Sequence, residues 1–97
     1  MSVLVLLEIS AKPENIGDLT DFLKSELHAT RGFDGCNGLT FHKHQDDPTT
    51  IIAVEDWDSR QQYEKYLAWR TDRGDFEKLV GWMHGDPSIR FFDNLGV

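Results

Sequence analysis

The sequence predicts an α+β domain of the ferredoxin-like type, with the element order strand, helix, strand, strand, helix, strand. Three observations support this order: a near-continuous apolar segment at the start, two amphipathic helical segments, and a turn-forming tetrapeptide between the two middle strands. In such a fold both main helices lie on one face of a four-stranded antiparallel sheet. The sequence also predicts an extra helical turn before the last strand.

The first half of the chain supplies a strand, a helix and a second strand. Val3 to Ser10 is rich in branched apolar residues at both odd and even positions, which is typical of a strand buried on both faces. Pro13 suits the first turn of a helix, and apolar residues then recur at spacings of three and four up to about Arg31. Leu39 to Gln45 is predicted to form the second strand.

The second half begins with the return strand of a hairpin. Thr50 to Trp57 is predicted to form the third strand, and Asp46 to Thr49 favour a tight turn before it. Ser59 is placed to cap a helix that begins at the next residue, with Gln62 completing a capping box, and Gly74 ends this helix. Two further elements follow, a short helix from Asp75 to about Met83 and a last strand from Ser88 to Asp93.

Length and composition limit the possible functions. The chain has 97 residues, enough for one domain, which we expect to span residues 2–93. Seventeen acidic residues against ten basic ones give a net charge of −7, so we expect neither nucleic acid nor a membrane as a partner. Cys36 is the single cysteine and cannot form an internal disulfide. Because the first ten residues also contain no basic leader, a cytoplasmic location is expected.

The face of the sheet away from the helices needs a cover of its own. The first strand is apolar at both parities, with Leu4 and Leu6 on its second side, so both faces of the sheet should be dry. A second copy of the chain can bury the uncovered face, and a two-fold pairing of sheets closes on itself. We therefore expect a homodimer.

Four short motifs resemble those of a known family. They are Gly35-Cys36-Asn37-Gly38 before the second strand, Asp46-Asp47-Pro48 in the hairpin, Val54 to Ser59 at the strand-to-helix junction, and Pro87 to Phe92 at the end. With these motifs the chain from about Val3 to Phe92 resembles the antibiotic biosynthesis monooxygenase domain, a family of small dimeric α+β barrels. The motifs are structural more than chemical, so the resemblance concerns fold and dimerisation before it concerns the reaction.

The resemblance implies several activities on one scaffold. Members of such families oxidise phenolic polycycles or quinols with dioxygen without metal or flavin, degrade haem, isomerise small signalling molecules, or have no known activity. Haem degraders of this type use Asn, Trp and His where this chain has Val5, Tyr66 and Val80, which disfavours haem degradation. We expect a cofactor-independent monooxygenase acting on a phenol, quinol or anthrone-like substrate. The alternatives are a non-catalytic dimer that binds a small hydrophobic ligand, and an isomerase.

The predicted hairpin register suggests a site on the middle strands. A turn at residues 46–49 makes alternate side chains of the two strands share a face. One face would then gather Thr40, His42, His44, Glu55 and Trp57. His42 is the candidate base, because a neutral imidazole can take a phenolic proton. The alternative is a pair of partly solvated histidines. His42, His44 and Glu55 lack a further ligand of known position, so no metal is expected.

The central helix adds aromatic and basic candidates. On a 3.6-residue period Tyr63, Tyr66 and Arg70 share a stripe, and Trp69 lies beside it. Arg70 is the candidate partner of a substrate anion, and in that role its loss should barely change stability. The alternative is a buried ion-pair network, with Glu55 or Asp56 as candidate partners, in which its loss would unfold the protein. The predicted substrate contacts are Thr40, His44, Glu55, Trp57, Tyr66 and Trp69. Alternatively, the aromatic stripe is only the buried face of an amphipathic helix.

Overall fold

The structure, a computed structural model, describes residues 2–97. Its elements are β1 (Val3–Ser10), a 3-10 turn (Pro13–Asn15), α1 (Ile16–Arg31), β2 (Cys36–Lys43), β3 (Thr50–Trp57), α2 (Arg60–Asp72), α3 (Asp75–Trp82) and β4 (Ser88–Asp93). The strands form one antiparallel sheet in the order β2-β3-β1-β4. This is the ferredoxin-like arrangement, so the predicted fold class is confirmed, with α3 as the extra helix.

The helix boundaries follow from local chemistry that the sequence displays. At the start of α2, the Ser59 hydroxyl accepts the backbone N–H of Gln62 at 3.2 Å. The same hydroxyl donates to the side-chain oxygen of Gln62 at 2.9 Å, so the two residues cap the helix together. Gly74 adopts φ +81°, a left-handed conformation that suits glycine, and α3 begins immediately after it. One left-handed residue therefore sets the angle between α2 and α3.

The predicted bounds and register of β2 are wrong. The strand runs from Cys36 to Lys43 instead of Leu39 to Gln45, and Leu39, not Thr40, lies opposite Glu55. The reason is a longer turn built by side chains. His44 Nδ1 accepts the backbone N–H groups of Asp46 and Asp47 at 3.0 and 3.1 Å, which stabilises a connection longer than the predicted tetrapeptide.

This shift of one residue decides which side chains share a face. A slip of one position moves every side chain of a strand to the other face relative to its partner. Leu39 and Phe41 of β2 therefore share the helix-covered face with Ala53 and Glu55 of β3. Thr40 and His42 lie on the opposite face. The expected grouping of Thr40, His42 and His44 with Glu55 and Trp57 is thus wrong.

Two apolar clusters fill the layer between the helices and the sheet. The first contains Ile9, Ala11, Leu19, Ile51 and Met83, and the second contains Val3, Val5, Trp57 and Tyr63. Leu19 of α1 and Tyr63 of α2 are completely buried, and each anchors its helix to one end of the sheet. The space between these two anchors contains the candidate site.

The other face of the sheet carries apolar residues that no helix covers. Alternation along the strands places Leu4, Leu6, Ile52, Val54 and Phe92 on this face. Leu4 is 39% exposed and Phe92 is 43% exposed, which is unusual for a pair of large apolar residues in register on neighbouring strands.

Among residues 2–97, no helix is both long enough and apolar enough to cross a membrane.

Candidate active site

A cavity of about 70 Å³ lies between the helices and the sheet face that they cover. Most of its wall is aliphatic or aromatic, with Leu7, Leu39, Leu67 and Leu79 among the lining residues. Its polar lining residues are Glu26, Thr30, Glu55, Tyr63, Tyr66, Arg70 and Asp75. Its lining, mostly apolar with a few convergent polar groups, is that of a small-molecule site, whereas its volume is below the about 300 to 1,000 Å³ usual for such sites.

Glu55 is a buried carboxylic acid in the middle of the sheet. It lies on β3, faces the cavity and is only 3% exposed. Trp57, two residues along the same strand face, donates its indole Nε1–H to Glu55 Oε1 at 3.1 Å. Burial raises the pKa of Glu55 to about 7, although the hydrogen bond from Trp57 opposes the shift. A carboxyl with a pKa near neutrality can take up and return a proton, as a general base and acid must.

Tyr63 lines the same cavity and carries a buried hydroxyl with no partner in residues 2–97. Its ring packs edge-on against Trp57 and Phe91, with centroids 5.4 and 5.6 Å apart. Within residues 2–97, no protein group forms a hydrogen bond with the buried hydroxyl, whereas buried polar atoms usually have a partner. Burial, followed by the nearby Glu55 carboxyl, raises the pKa of Tyr63. The phenol therefore stays protonated and can donate a hydrogen bond to a ligand.

Arg70 is held in a network that joins all three helices. Its Nη1 donates to Glu26 Oε1 of α1 at 2.6 Å and to Asp75 Oδ2 of α3 at 2.8 Å. Its Nη2 donates to the Glu26 carbonyl and to Thr30 Oγ1, both at 3.0 Å, and its Nε donates to the Tyr66 hydroxyl at 3.0 Å. These contacts use all five N–H groups of a guanidinium. The expectation of a cleft-facing, weakly stabilising arginine is wrong, because Arg70 is 7% exposed and fully paired.

The predicted aromatic contacts divide between the cavity and its surroundings. Tyr66 lines the cavity, and its hydroxyl lies 2.7 Å from Thr30 Oγ1. Trp57 is completely buried and contacts the cavity residue Glu55 through its indole N–H. Trp69 is not among the lining residues; its ring lies 4.9 Å from the guanidinium of Arg70 and 4.7 Å from that of Arg73. Trp69 thus covers the arginine network on its outer side.

The predicted residues of the hairpin lie elsewhere. Thr40 and His42 contact each other at 2.9 Å on the exposed face of the sheet, and His44 stabilises the turn. His42 also borders a second cavity of about 250 Å³, between α1 and β2, together with Lys24 and Lys43.

Across residues 2–97 no group of three or more His, Cys, Asp or Glu side chains has the arrangement of a metal site.

Several residues of the site were not identified from the sequence. Tyr63 is expected only as part of the aromatic stripe, since nothing in its spacing indicates an unpaired hydroxyl. Glu26 and Thr30 lie 44 and 40 residues before Arg70, and no local pattern connects them. Asp75 is the exception. It follows Gly74 directly and lies five residues after Arg70. This short separation across a helix junction is a local pattern from which the ion pair could have been predicted.

The chain is thus a small α+β domain of the ferredoxin-like type with a buried acid under its helices. Comparison with known families gives the finer assignment, since the sequence profile described as antibiotic biosynthesis monooxygenase matches residues 2–71. The matched region includes Glu55, Tyr63 and Arg70. The chain belongs to the antibiotic biosynthesis monooxygenase family, which confirms the resemblance drawn from its motifs. No curated protein sequence matches the chain significantly.

Solved structures agree with this assignment at the level of the fold. A crystal structure named antibiotic biosynthesis monooxygenase is 18% identical, with a TM-score of 0.86 over 96% of this chain and 98% of that chain. A conserved protein from Methanosarcina mazei is 16% identical, with a TM-score of 0.86 over 95% and 91% of the two chains. A Mycobacterium tuberculosis protein is 18% identical, with a TM-score of 0.78 over 98% and 96%. At these identities the likeness shows the shared fold alone.

Replacing Arg70 should strongly destabilise the protein. Arg70→Ala leaves two carboxylates without their buried cation, which should lower the free energy of unfolding by about 3 to 5 kcal/mol. Arg73→Ala is the matched control. Arg73 contacts the same two carboxylates at 3.4 and 3.6 Å, but its side chain is 43% exposed, so its loss should cost less than about 1 kcal/mol. Denaturant titration measures both; equal losses would contradict the dominant role of Arg70.

The buried acid should make stability depend on pH. The pKa of Glu55 is raised from 4.5 to about 7 on folding, so the stability it contributes is complete below about pH 4.5 and is lost as the pH rises through 7. The shift corresponds to about 3 kcal/mol. Glu55→Gln copies the neutral acid, so the variant should gain stability over the parent at pH 8 and not at pH 4. Denaturant titration at both values measures this, and a constant difference between the two proteins would refute it.

Proposed function

We propose that this chain is a cofactor-independent monooxygenase that oxidises a phenol, quinol or anthrone-like substrate with dioxygen. The observation that carries the proposal is the buried Glu55 carboxyl, with a pKa of about 7, in an apolar cavity. An oxygenase without a cofactor must make its substrate electron-rich by removing a proton, and a base in a dry site does this. Glu55 replaces His42 in this role, since His42 lies on the other face of the sheet. Catalysis by His42 remains an untested prediction.

The proposed reaction balances without an added reductant. The Glu55 carboxylate removes a proton from the substrate's hydroxyl, or from a carbon next to a carbonyl. The resulting anion gives one electron to dioxygen, and the two radicals join as a peroxide that recovers the proton from Glu55. Loss of water from the peroxide leaves a carbonyl on the substrate. For a methylene carbon, CH2 and O2 become C=O and H2O, and all the electrons come from the substrate.

Each neighbour of Glu55 has a part in this reaction. Trp57 fixes the carboxyl through its indole N–H, so the second carboxyl oxygen stays available to the substrate. The Tyr63 hydroxyl can donate to a substrate oxygen, and a donor aimed at developing negative charge stabilises the anion. Arg70 is a positioning residue, because its contacts hold α1, α2 and α3 around the cavity.

An isomerase on the same scaffold is the second candidate. Isomerisation needs a group that removes a proton at one atom and returns it at another, and Glu55 has the pKa for both steps. Such an enzyme would exchange substrate protons with water but would consume no oxygen. A non-catalytic binding protein would do neither, so oxygen consumption and proton exchange together separate the three functions.

The proposal includes a homodimer formed through the uncovered face of the sheet. Leu6 and Val54 pair in the middle of this face, and Leu4 and Phe92 extend the apolar surface towards one edge. Apolar residues in the centre of an exposed sheet favour association with a surface of the same kind. A second copy supplies that surface, and because a two-fold dimer is closed, no further copies can add through this face.

Glu55→Gln should strongly slow oxygen consumption with any phenol or quinol that the parent protein oxidises. Removal of a general base costs about 100-fold to 10,000-fold in rate, while glutamine retains the shape of the side chain and its contact with Trp57. The parent's rate should rise with pH through about 7 as Glu55 ionises. An oxygen electrode measures both effects. If His42→Ala loses the activity and Glu55→Gln keeps it, the assignment from the sequence is correct and the present one is wrong.

The dimer should dissociate when a charge is placed in the middle of the uncovered face. Val54→Lys brings two ammonium groups together across the two-fold axis, whereas the parent should sediment at about twice the chain mass. Val80→Lys is the matched control, because Val80 is a 50% exposed apolar residue on the helix layer. Analytical ultracentrifugation distinguishes the outcomes. Loss of the dimer in both variants, or in neither, would place the interface elsewhere.

A further inference from the structure

We infer that the cavity selects an uncharged aromatic alcohol and rejects analogues that carry a carboxylate. This inference rests on the proposed function, because it takes the cavity to be the substrate site. It concerns the charge of the substrate, which neither the fold nor the family determines.

The only cationic side chain that lines the cavity, among residues 2–97, is Arg70. Its Nη1 bridges the carboxylates of Glu26 and Asp75, and its remaining N–H groups go to a carbonyl and two hydroxyls. A guanidinium has five N–H groups, and all five are in use. A ligand carboxylate can therefore reach Arg70 only by displacing one of these bound groups.

The charges around the cavity also oppose an anion. Glu26 and Asp75 bring two negative charges to the single positive charge of Arg70. Arg73 reaches the same two carboxylates from the surface, at 3.4 and 3.6 Å, so the group as a whole is close to neutral. Glu55 adds a further negative charge once it ionises to act as a base. A ligand anion in this space meets no unpaired cation, and an unpaired buried charge is costly.

The remaining polar group fits a neutral ligand oxygen. Tyr63 lines the cavity, and its hydroxyl is buried and has no hydrogen-bond partner among residues 2–97. It stays protonated, so it offers one hydrogen bond without a charge. A neutral hydroxyl or carbonyl oxygen can accept this bond while a proton of the ligand faces Glu55. The polar groups thus match an aromatic alcohol with no ionised substituent.

Three small phenols test the inference by binding alone. The first is 4-methylphenol, the second is 4-hydroxybenzamide and the third is 4-hydroxybenzoate, which has nearly the shape of the amide but carries a negative charge. Isothermal titration calorimetry near pH 7 should show 4-hydroxybenzoate binding at least about 10-fold more weakly than both neutral phenols, since like-charge contacts are unfavourable. Equal or tighter binding of 4-hydroxybenzoate would overturn the inference.

A change of one carboxylate should largely remove this selectivity. Glu26→Gln keeps the shape of the side chain but leaves Arg70 with only Asp75 as a charged partner. Glu26 is the more exposed of the two carboxylates, at 24% against 7% for Asp75. The variant should bind 4-hydroxybenzoate at least about 10-fold better than the parent does, with little change for 4-hydroxybenzamide. Glu64→Gln is the control, because it removes the same charge from an exposed pair with Arg60. A gain of equal size in both variants would overturn the inference, because it would reflect net charge alone.

The result for binding is separate from the result for turnover. If the neutral phenols bind selectively but no phenol or quinol consumes oxygen, the inference stands and the proposed monooxygenase function fails. If 4-hydroxybenzoate binds as well as the amide while quinols consume oxygen, the function stands and the inference fails. If none of the three phenols binds, the inference fails, and oxygen consumption with quinols tests the proposed function separately. If Glu26→Gln does not fold, the relative affinities of the parent protein for the three phenols still test the inference.

Discussion

The guanidinium of Arg70 is the contact on which the helix layer depends. Through Glu26 and Thr30 it holds α1, and through Asp75 it holds α3, while its own helix supplies Tyr66 as a further partner. A buried cation must have its charge and its N–H groups satisfied, so these partners are fixed in position together. The three helices consequently form a frame above the sheet, and the cavity lies inside this frame.

Glu55 is the buried acid that the sheet contributes to the cavity. Most residues of β3 that face the helices are apolar, and a carboxyl at this position loses its hydration for one hydrogen bond from Trp57. Its pKa rises to about 7 for this reason. A buried group that destabilises the folded state near neutral pH is a common mark of a functional site. Arg70 keeps the walls of the cavity assembled, and Glu55 is the base of the proposed reaction.

The strand register shows how far local patterns extend. The bounds of β1, β3 and β4 match the prediction, because alternation and flanking turn residues determine each strand separately. The register of β2 does not follow from its own sequence. It depends on His44 and Asp47, whose side chains bind backbone and hydroxyl groups of the turn and lengthen it. One additional residue in this connection separated His42 from Glu55.

The sequence by itself determined the fold class, the helix caps at Ser59 and Gly74, and the family, because each is encoded in contiguous residues. It also identified Glu55, Tyr66 and Arg70 as candidate site residues, and all three line the cavity. Only the tertiary structure decided what these residues contact. Arg70 meets Glu26 across 44 residues, and Glu55 acquires its pKa from burial by elements distant in sequence. Desolvation and ion pairing depend on the whole packed chain, and no local pattern contains them.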